Sequence, residues 1–433
     1  MRRRDLITAA LAAPIAAPLA LPALLRQARA EPVEPLDSLL SPTLPPLKIN
    51  PALRTRLLTL MRAHGRGNAD FDPARRPYAV FDWDNTSIMN DCEETLFLTL
   101  IDRFAFRLPP VELAQALRSG APEGPFAAAY RNAAGAPVSF ADLAADIEAD
   151  YAALAAAYGL PAPPEKRADL AKDERLQSLR AKLFFLYNAL TDTFGDRVGD
   201  AWMVGLLAGG TVEELQALAR LNNDETLGRA MAELTFTSPR ARPGKAGVVS
   251  QTHLDGLRLT PEIACIQHAL MAAGIDVFVV SASCEEVVKV FACDPRYGYN
   301  LPEANVYGIR MQRRDGRMDW RPAQNWPITW GPGKVDAIRR TFVDARGFGP
   351  LAVFGDSDGD FNMLSEFPDT ELGVIVNRVK GGGIGELSRK AAAQMGSPAP
   401  RFMLQGRNEA TGEWRPSAAT LKLGEEAEML VRA

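Results

Sequence analysis

The sequence predicts an α/β protein built on a parallel sheet, with a large, mainly helical insertion after the first strand. Three observations predict it. Three short apolar runs, Tyr78–Phe81, Ile275–Val280 and Leu351–Phe354, read as strands buried on both faces, which need no polar alternation. Each run leads directly into acids or hydroxyls, which collects those polar groups at the carboxyl edge of the sheet, where open α/β sheets bind ligands. Finally, the roughly 190 residues from Thr86 to Val277 far exceed one strand-to-strand crossover, and they are Ala-rich with helical period.

The first thirty residues form a separate unit. Arg2, Arg3 and Arg4 precede an almost charge-free stretch from Leu6 to Leu25, and Ala28-Arg29-Ala30 closes it. A basic start, an apolar middle and a small-x-small end make an export signal, cleaved after Ala30. The Arg pair ahead of Asp5-Leu6-Ile7 resembles a twin-arginine signal, so a periplasmic or secreted location is expected. Pro14, Pro18 and Pro22 argue against a lasting membrane span.

The chain has 433 residues and a formal charge of −4; residues 1–30 carry five Arg against Asp5, so the remainder carries −8. An acidic chain is a poor generic nucleic-acid binder. Three His and four Cys exclude a His-rich metal site and a disulfide scaffold. Cys92, Cys265, Cys284 and Cys293 are expected as thiols, with Cys284–Cys293 the short-loop alternative for a bridge.

Residues 31–76 read as a Pro-rich lead-in followed by a helix through Leu53, Leu57, Leu60 and Met61 that stops near Gly65. Tyr78–Phe81 then opens a core assigned to 77–100 plus 256–433, interrupted by a helical cap at 101–255. Within the cap, Val111 to Leu117, Phe140 to Leu154 and Leu176 to Leu190 have helical spacing, and Gly209-Gly210-Thr211 opens another helix. In the second part of the core, Thr260-Pro261 starts a helix before the second strand. Gly331-Pro332-Gly333-Lys334 places Lys334 at a further helix start, and Asp315-Gly316 marks a hairpin. The tail beyond Pro398 carries no assigned function.

The chemistry sits at the strand ends. Asp82-Trp83-Asp84-Asn85-Thr86 follows the first strand, Ser281-Ala282-Ser283 ends the second, and Gly355-Asp356-Ser357-Asp358-Gly359-Asp360 ends the third. An Asp-x-Asp alone is equally an acidic turn. Asp356, Asp358 and Asp360 match the first acids of a calcium loop, but Phe361 stands where that loop needs Gly and Phe367 where it needs Glu. Carboxylates without nearby His or Cys suit Mg²⁺ better than Zn²⁺.

Taken in order, Asp-x-Asp-x-Thr, Ser, Lys and Gly-Asp-x-x-x-Asp, each after its expected element, resemble the haloacid dehalogenase-like hydrolases over residues 77–100 and 260–380. The resemblance implies a Rossmann-like core and phosphomonoester hydrolysis through an aspartyl phosphate. Asp82 would be the nucleophile, Asp84 the acid and base, Ser281 and Lys334 the phosphoryl ligands. It also implies Mg²⁺ held by the Asp82 side chain, the Asp84 carbonyl and Asp356, with Asp360 direct or through water. Asp84 and Asp356 speak for phosphate chemistry over the family's dehalogenases.

Specificity is expected from the flap and cap. Asp91, Glu93 and Glu94 follow the nucleophile by nine, eleven and twelve residues. They suit a helix start, or recognition of a cationic leaving group. Glu94 stands where secreted phosphorylcholine phosphatases of this family contact a quaternary ammonium, and Asp91 where phosphoserine phosphatases carry a Glu. The expected substrate-binding set is Asp91, Glu94, Trp83 and Ser283, with Trp83 offering an aromatic face. The expected partner is a small phosphomonoester such as phosphocholine. The alternatives are a phosphoserine-like or broad phosphatase, or a periplasmic phosphoester-binding protein without turnover. Oligomeric state is not legible.

Overall fold

The computed structural model describes residues 43–122 and 124–432; the export signal expected at 1–30 lies outside them. The first helix, α1 (Pro51–His64), is capped by the Asn50 side chain and begins with Pro51, whose missing N–H costs nothing there. Its apolar stripe, Leu53, Leu57, Leu60 and Met61, is buried, as are Leu44 and Ile49 before it. The lead-in is therefore part of the main core from Leu44 onward.

Strand β1 (Tyr78–Phe81) feeds the catalytic loop and a short strand β2 (Ile88–Met89), followed by helix α2 (Cys92–Asp102). The insertion comprises α3 (Pro110–Arg118), α4 (Phe140–Tyr158), α5 (Glu174–Phe194), α6 (Asp196–Leu206) and α7 (Val212–Thr226). Thr211 and Glu214 form a reciprocal capping box at the start of α7. A two-stranded ribbon, β3 (Ala232–Thr237) with β4 (Ser250–Asp255), completes it, so the insertion is not purely helical. Strand β5 (Arg258–Leu259) pairs with β2, which clasps the two chain crossings between insertion and core.

The core resumes with α8 (Pro261–Ala272), β6 (Asp276–Cys284), α9 (Glu285–Cys293) and β7 (Val306–Ile309). Thr260 stands at the N-cap of α8 but gives no side-chain cap, and Pro261 supplies the first position. Next come the hairpin β8 (Met311–Arg314) and β9 (Arg317–Pro322), then α10 (Pro332–Ile338), β10 (Ala352–Gly355), α11 (Phe361–Ser365), β11 (Leu372–Val376), α12 (Gly382–Ala393) and β12 (Phe402–Gln405). Asp315 and Gly316 at the hairpin tip have φ of 50° and 77°, the paired left-handed turn such hairpins favour. Four short strands end the chain: β13 (Arg407–Asn408), β14 (Glu413–Trp414), β15 (Thr420–Leu421) and β16 (Glu428–Met429).

Six strands form one parallel sheet in the order β12-β11-β10-β1-β6-β7. Alternation assigns its faces. Ala79, Phe81, Val277, Val279 and Phe354 join one hydrophobic cluster, while Tyr78, Val80, Phe278, Val280 and Val353 join the other. Both faces are buried, and each such side chain contributes about 1.5–3 kcal/mol of transfer free energy. The register sets the chemistry: Phe81 faces Phe354 on one side and Val279 on the other. Asp82, Asp356 and Ser281 therefore leave the sheet within one residue of each other at its carboxyl edge.

Candidate active site

Asp82 and Asp84 both line the cavity of the site, whereas Trp83 between them does not. Trp83 is fully buried, edge-on to Tyr299 with ring centroids 4.9 Å apart. The structure thus packs Trp83 into the core rather than bringing it to the cavity, contrary to the expectation that it touches substrate.

The remaining expected residues except Asp360, which is buried behind Lys334, meet in one cavity of about 240 Å³, lined by Asp82, Asp84, Asp91, Glu94, Ser281, Ser283, Lys334 and Asp356. Lys334 Nζ donates to Asp82 Oδ1 at 2.5 Å and to Asp360 Oδ1 at 2.7 Å. The other Asp360 oxygen accepts the backbone N–H groups of Asp356 and Ser357 at 2.8 and 3.1 Å, so Asp360 braces the loop as well as Lys334. Asp358 points elsewhere and accepts the Ile384 N–H at the start of α12.

Asp84 is held by the Cys92 N–H at 2.8 Å and the Ser283 hydroxyl at 2.7 Å. Burial raises its pKa, and these donors hold it back. Ser283, expected to meet substrate, thus spends its proton on Asp84. The Ser283 N–H in turn donates to Ser281 Oγ at 3.1 Å. Burial, and then Asp360, push Asp82 well above the usual carboxylate range, while Lys334 opposes them.

Asp82, Asp356 and Asp360 each offer an oxygen, all within 4.8 Å of one another. The donor set suits a hard divalent cation: buried carboxylates with no soft ligand among them. The local hydrogen bonding agrees. Thr86 Oγ1 lies 3.1 Å from Asp82 Oδ2 and 3.0 Å from Asp356 Oδ1, but one hydroxyl proton serves only one acceptor at a time. Two anions thus converge with one proton between them. The Asp84 carboxylate is not in this group.

The cavity is more acidic than the sequence suggested. Asp91 caps α2 by accepting the Glu93 and Glu94 N–H groups, as a helix start would, and still lines the cavity. Glu94 accepts the Tyr187 hydroxyl at 3.0 Å. Asp196 and Asp200, one turn apart on α6, add two acids, and Tyr187 and Trp330 add aromatic surface. Burial raises both α6 acids; Asp196 and Glu94 push Asp200 up further, and Lys380 partly offsets the rise at Asp196. Trp320 and Trp326, which precede Trp330 in sequence, are absent from the lining; the Trp326 indole donates to Gly308 O at 2.9 Å and lies under Arg310. Glu93 also lines the cavity, is buried, and accepts the Cys284 N–H at 2.6 Å. The four thiols are free, with Cys92 and Cys284 buried.

Sequence reasoning missed Asp196, Asp200, Tyr187, Arg378 and Lys380. Acids opening a helix and an aromatic at helical spacing are ordinary features with no site signature. The one available signal was Lys380 itself, set between a buried strand and Gly381-Gly382-Gly383.

Residues 212–365 match the family model of the haloacid dehalogenase-like hydrolases, a span that includes Ser281, Lys334, Asp356 and Asp360. The chain carries a haloacid dehalogenase-like hydrolase domain. Its sheet supplies Asp82 and Asp84 from outside that span. The phosphorylcholine phosphatase of Pseudomonas aeruginosa is 30% identical over 223 residues, covering 43% of this chain and 56% of that protein. The chain thus aligns with little more than half the length of that relative. A conserved protein of unknown function from Anaerococcus prevotii superposes on this chain with a TM-score of 0.80 at 28% identity, covering 88% of this chain and 98% of the other.

Proposed function

We propose that this chain is a Mg²⁺-dependent phosphomonoester hydrolase that works through an aspartyl phosphate on Asp82, on small esters with a cationic leaving group such as phosphocholine. One observation carries the reading: a single cavity gathers Asp82, Asp84, Ser281 and Lys334 together with Asp91, Glu94, Asp196 and Asp200. An ester bearing an anionic phosphoryl group and a cationic head complements both sets. The named relative supports the same chemistry.

In the first step an Asp82 oxygen attacks phosphorus while the ester oxygen leaves with the proton of Asp84. Water, losing a proton to Asp84, then cleaves the acyl phosphate and frees Asp82. Asp84 must be protonated in the first step and ionised in the second, so its balance of burial against two donors matters. Lys334 has a third N–H beyond those given to Asp82 and Asp360, and Ser281 has its hydroxyl, for the equatorial oxygens. Mg²⁺ held by Asp82, Asp356 and the Asp84 carbonyl, with Asp360, would supply positive charge against the phosphoryl group. Export by the twin-arginine-type segment to the periplasm or beyond belongs to the same proposal. Among the described residues no helix is long and apolar enough to cross a membrane.

The test is a panel of phosphocholine, phosphoethanolamine, phosphoserine, glucose phosphate and an aryl phosphate with Mg²⁺. Phosphocholine is expected to have the highest kcat/KM, and Asp82→Asn to abolish all release. Equal turnover of phosphocholine and glucose phosphate would remove the cationic head group from the proposal. Binding without release would favour a phosphoester-binding protein.

A further inference from the structure

Three cations line the cavity: Lys334, Arg378 and Lys380. Two are already committed. Lys334 is bonded to Asp82 and Asp360, and Arg378 Nη1 is 2.7 Å from Asp356 Oδ2. Lys380 alone among them has no carboxylate within ion-pair distance among the described residues. Its ammonium sits in a locally positive field: Arg378 first, then burial, lower its pKa, against weaker support from Asp356 and Asp196. A structural lysine is rarely left beside an arginine without an acid of its own.

The backbone holds it there under strain. Val379, just before it, has a φ of 57°, a left-handed conformation that a β-branched residue adopts only when its surroundings impose it. Asn377, fully buried, does the imposing. Its Oδ1 accepts the Val379 N–H at 3.0 Å, and its Nδ2 donates to Ala418 O and Leu430 O at 2.9 and 2.7 Å. The Asn377 N–H is itself fixed to Gln405 O of β12 at 2.8 Å. On the far side, Asp358 occupies the start of α12, so the N–H of Ile384 is not open to a ligand. The side chain of this loop that lines the cavity with a charge free of any ion pair among the described residues is that of Lys380.

We propose that Lys380 is a phosphoryl-binding residue of this site, contacting a non-bridging oxygen of the ester or of product phosphate and supplying the cationic charge that Lys334 and Arg378 have already spent on carboxylates. The assignment rests on the reading of the cavity as a phosphoryl site. It goes beyond the four sequence motifs, because Lys380 belongs to none of them.

Two substitutions test it in the full chain with Mg²⁺, Lys380→Gln and Lys380→Arg, by calorimetric titration with inorganic phosphate and, separately, with tetramethylammonium. Loss of one charge-assisted contact is expected to weaken phosphate binding about ten- to hundredfold in Lys380→Gln, with Lys380→Arg near the natural protein. Tetramethylammonium binding should be unchanged. The melting temperature of Lys380→Gln should be equal or higher, since a repelled cation is removed from beside Arg378. Unchanged phosphate affinity in Lys380→Gln, or absence of phosphate binding by the natural protein, would overturn the assignment. So would a parallel loss of both ligands with a lowered melting temperature, which marks a structural role. If the natural protein hydrolyses esters while Lys380→Gln binds phosphate normally, the Lys380 assignment falls and the hydrolase reading stands. If phosphate binding depends on Lys380 but no ester is hydrolysed, the hydrolase reading falls and Lys380 stands.

Discussion

The Ser283 hydroxyl donates to Asp84 Oδ2 at 2.7 Å across 199 positions of sequence, joining the end of β6 to the loop after β1. It stabilises the ionised form of Asp84 against burial, which raises the pKa of that carboxyl. Ser283→Ala removes the donor, so the pKa of Asp84 rises further and the acid keeps its proton to higher pH. The alkaline limb of the kcat/KM profile should move upward. The acid form needed first is preserved, but the base needed for hydrolysis of the intermediate is depleted at neutral pH, so kcat should fall about tenfold. A full pH–rate profile of both proteins checks this; superimposable alkaline limbs would refute it.

That contact shows which parts of the site were legible in sequence. Asp82, Ser281 and Asp356 were readable because each ends an apolar run, and parallel strands carry such ends to one edge. Lys334 was readable from a Pro-Gly helix start. Trp83 misled because its aromatic character outweighed the simple alternation between Asp82 and Asp84. The ribbon of β3 and β4 went unread although Ala232, Leu234 and Phe236 alternate with Glu233, Thr235 and Thr237, because the partner strand β4 carries a single apolar residue, Leu254, and gives no second strand signal. Asp196, Tyr187 and Arg407 were beyond reach for another reason: the signal is the tertiary contact, and locally each lies in an unremarkable helix or strand.

Arg407 belongs to the tail that carried no assigned role. It is 2% exposed, and its Nη1 reaches Asn85 Oδ1 at 3.2 Å while Nη2 binds Glu409 at 2.9 Å. Asn85, between Asp84 and Thr86, has a φ of 60°. Burial and the nearby Arg378 pull Arg407 down to about 10, and Glu409 opposes them. Arg407→Ala should cost about 3 kcal/mol, the lower end for breaking a buried pair, because Lys422 still reaches Glu409 at 3.0 Å. It should also lower kcat by loosening the nucleophile loop. Arg407→Lys should rescue little, since one ammonium cannot serve both partners in the fork geometry. Urea unfolding and steady-state kinetics together check this, and full activity in Arg407→Ala would show that the tail does not support the loop.

His253 supplies a pH dependence of stability. It is buried on β4 with its ring 4.8 Å from Phe184 and 6.3 Å from Phe236, and its Nε2 has no hydrogen-bond partner. Burial lowers its pKa below the ordinary 6.5, although Glu94, 3.7 Å from Nδ1, opposes this. A base with a depressed pKa in the folded state binds fewer protons folded than unfolded. Stability is then full above the unfolded value and falls as pH drops below about 6.5. His253→Phe removes that acid-side loss. The two proteins should melt alike at high pH and diverge on acidification, with the variant the more stable. Melting curves across that range check it; parallel pH dependences would exclude His253 as the source.

Glu94 and Asp200 decide whether the acidic wall recognises a cation or merely hydrates. Their carboxylates contribute Coulomb attraction to a bound ammonium, and neither belongs to the set assigned to the reacting phosphoryl group. Neutralising one charge in a partly desolvated pocket should cost about 1.4 kcal/mol, roughly tenfold in affinity. Glu94→Gln is the gentler change, since its amide oxygen can still accept the Tyr187 hydroxyl now bonded at 3.0 Å. Both Glu94→Gln and Asp200→Asn should raise KM for phosphocholine by about that factor, leave kcat near its original value, and leave KM for an uncharged aryl leaving group unchanged. The double variant should lose more than the product of the two, because each single change relieves the repulsion that raises Asp200 and leaves the remaining acid more fully charged. An equal rise in KM for both esters would mean that the wall shapes the cavity without reading the charge of the leaving group.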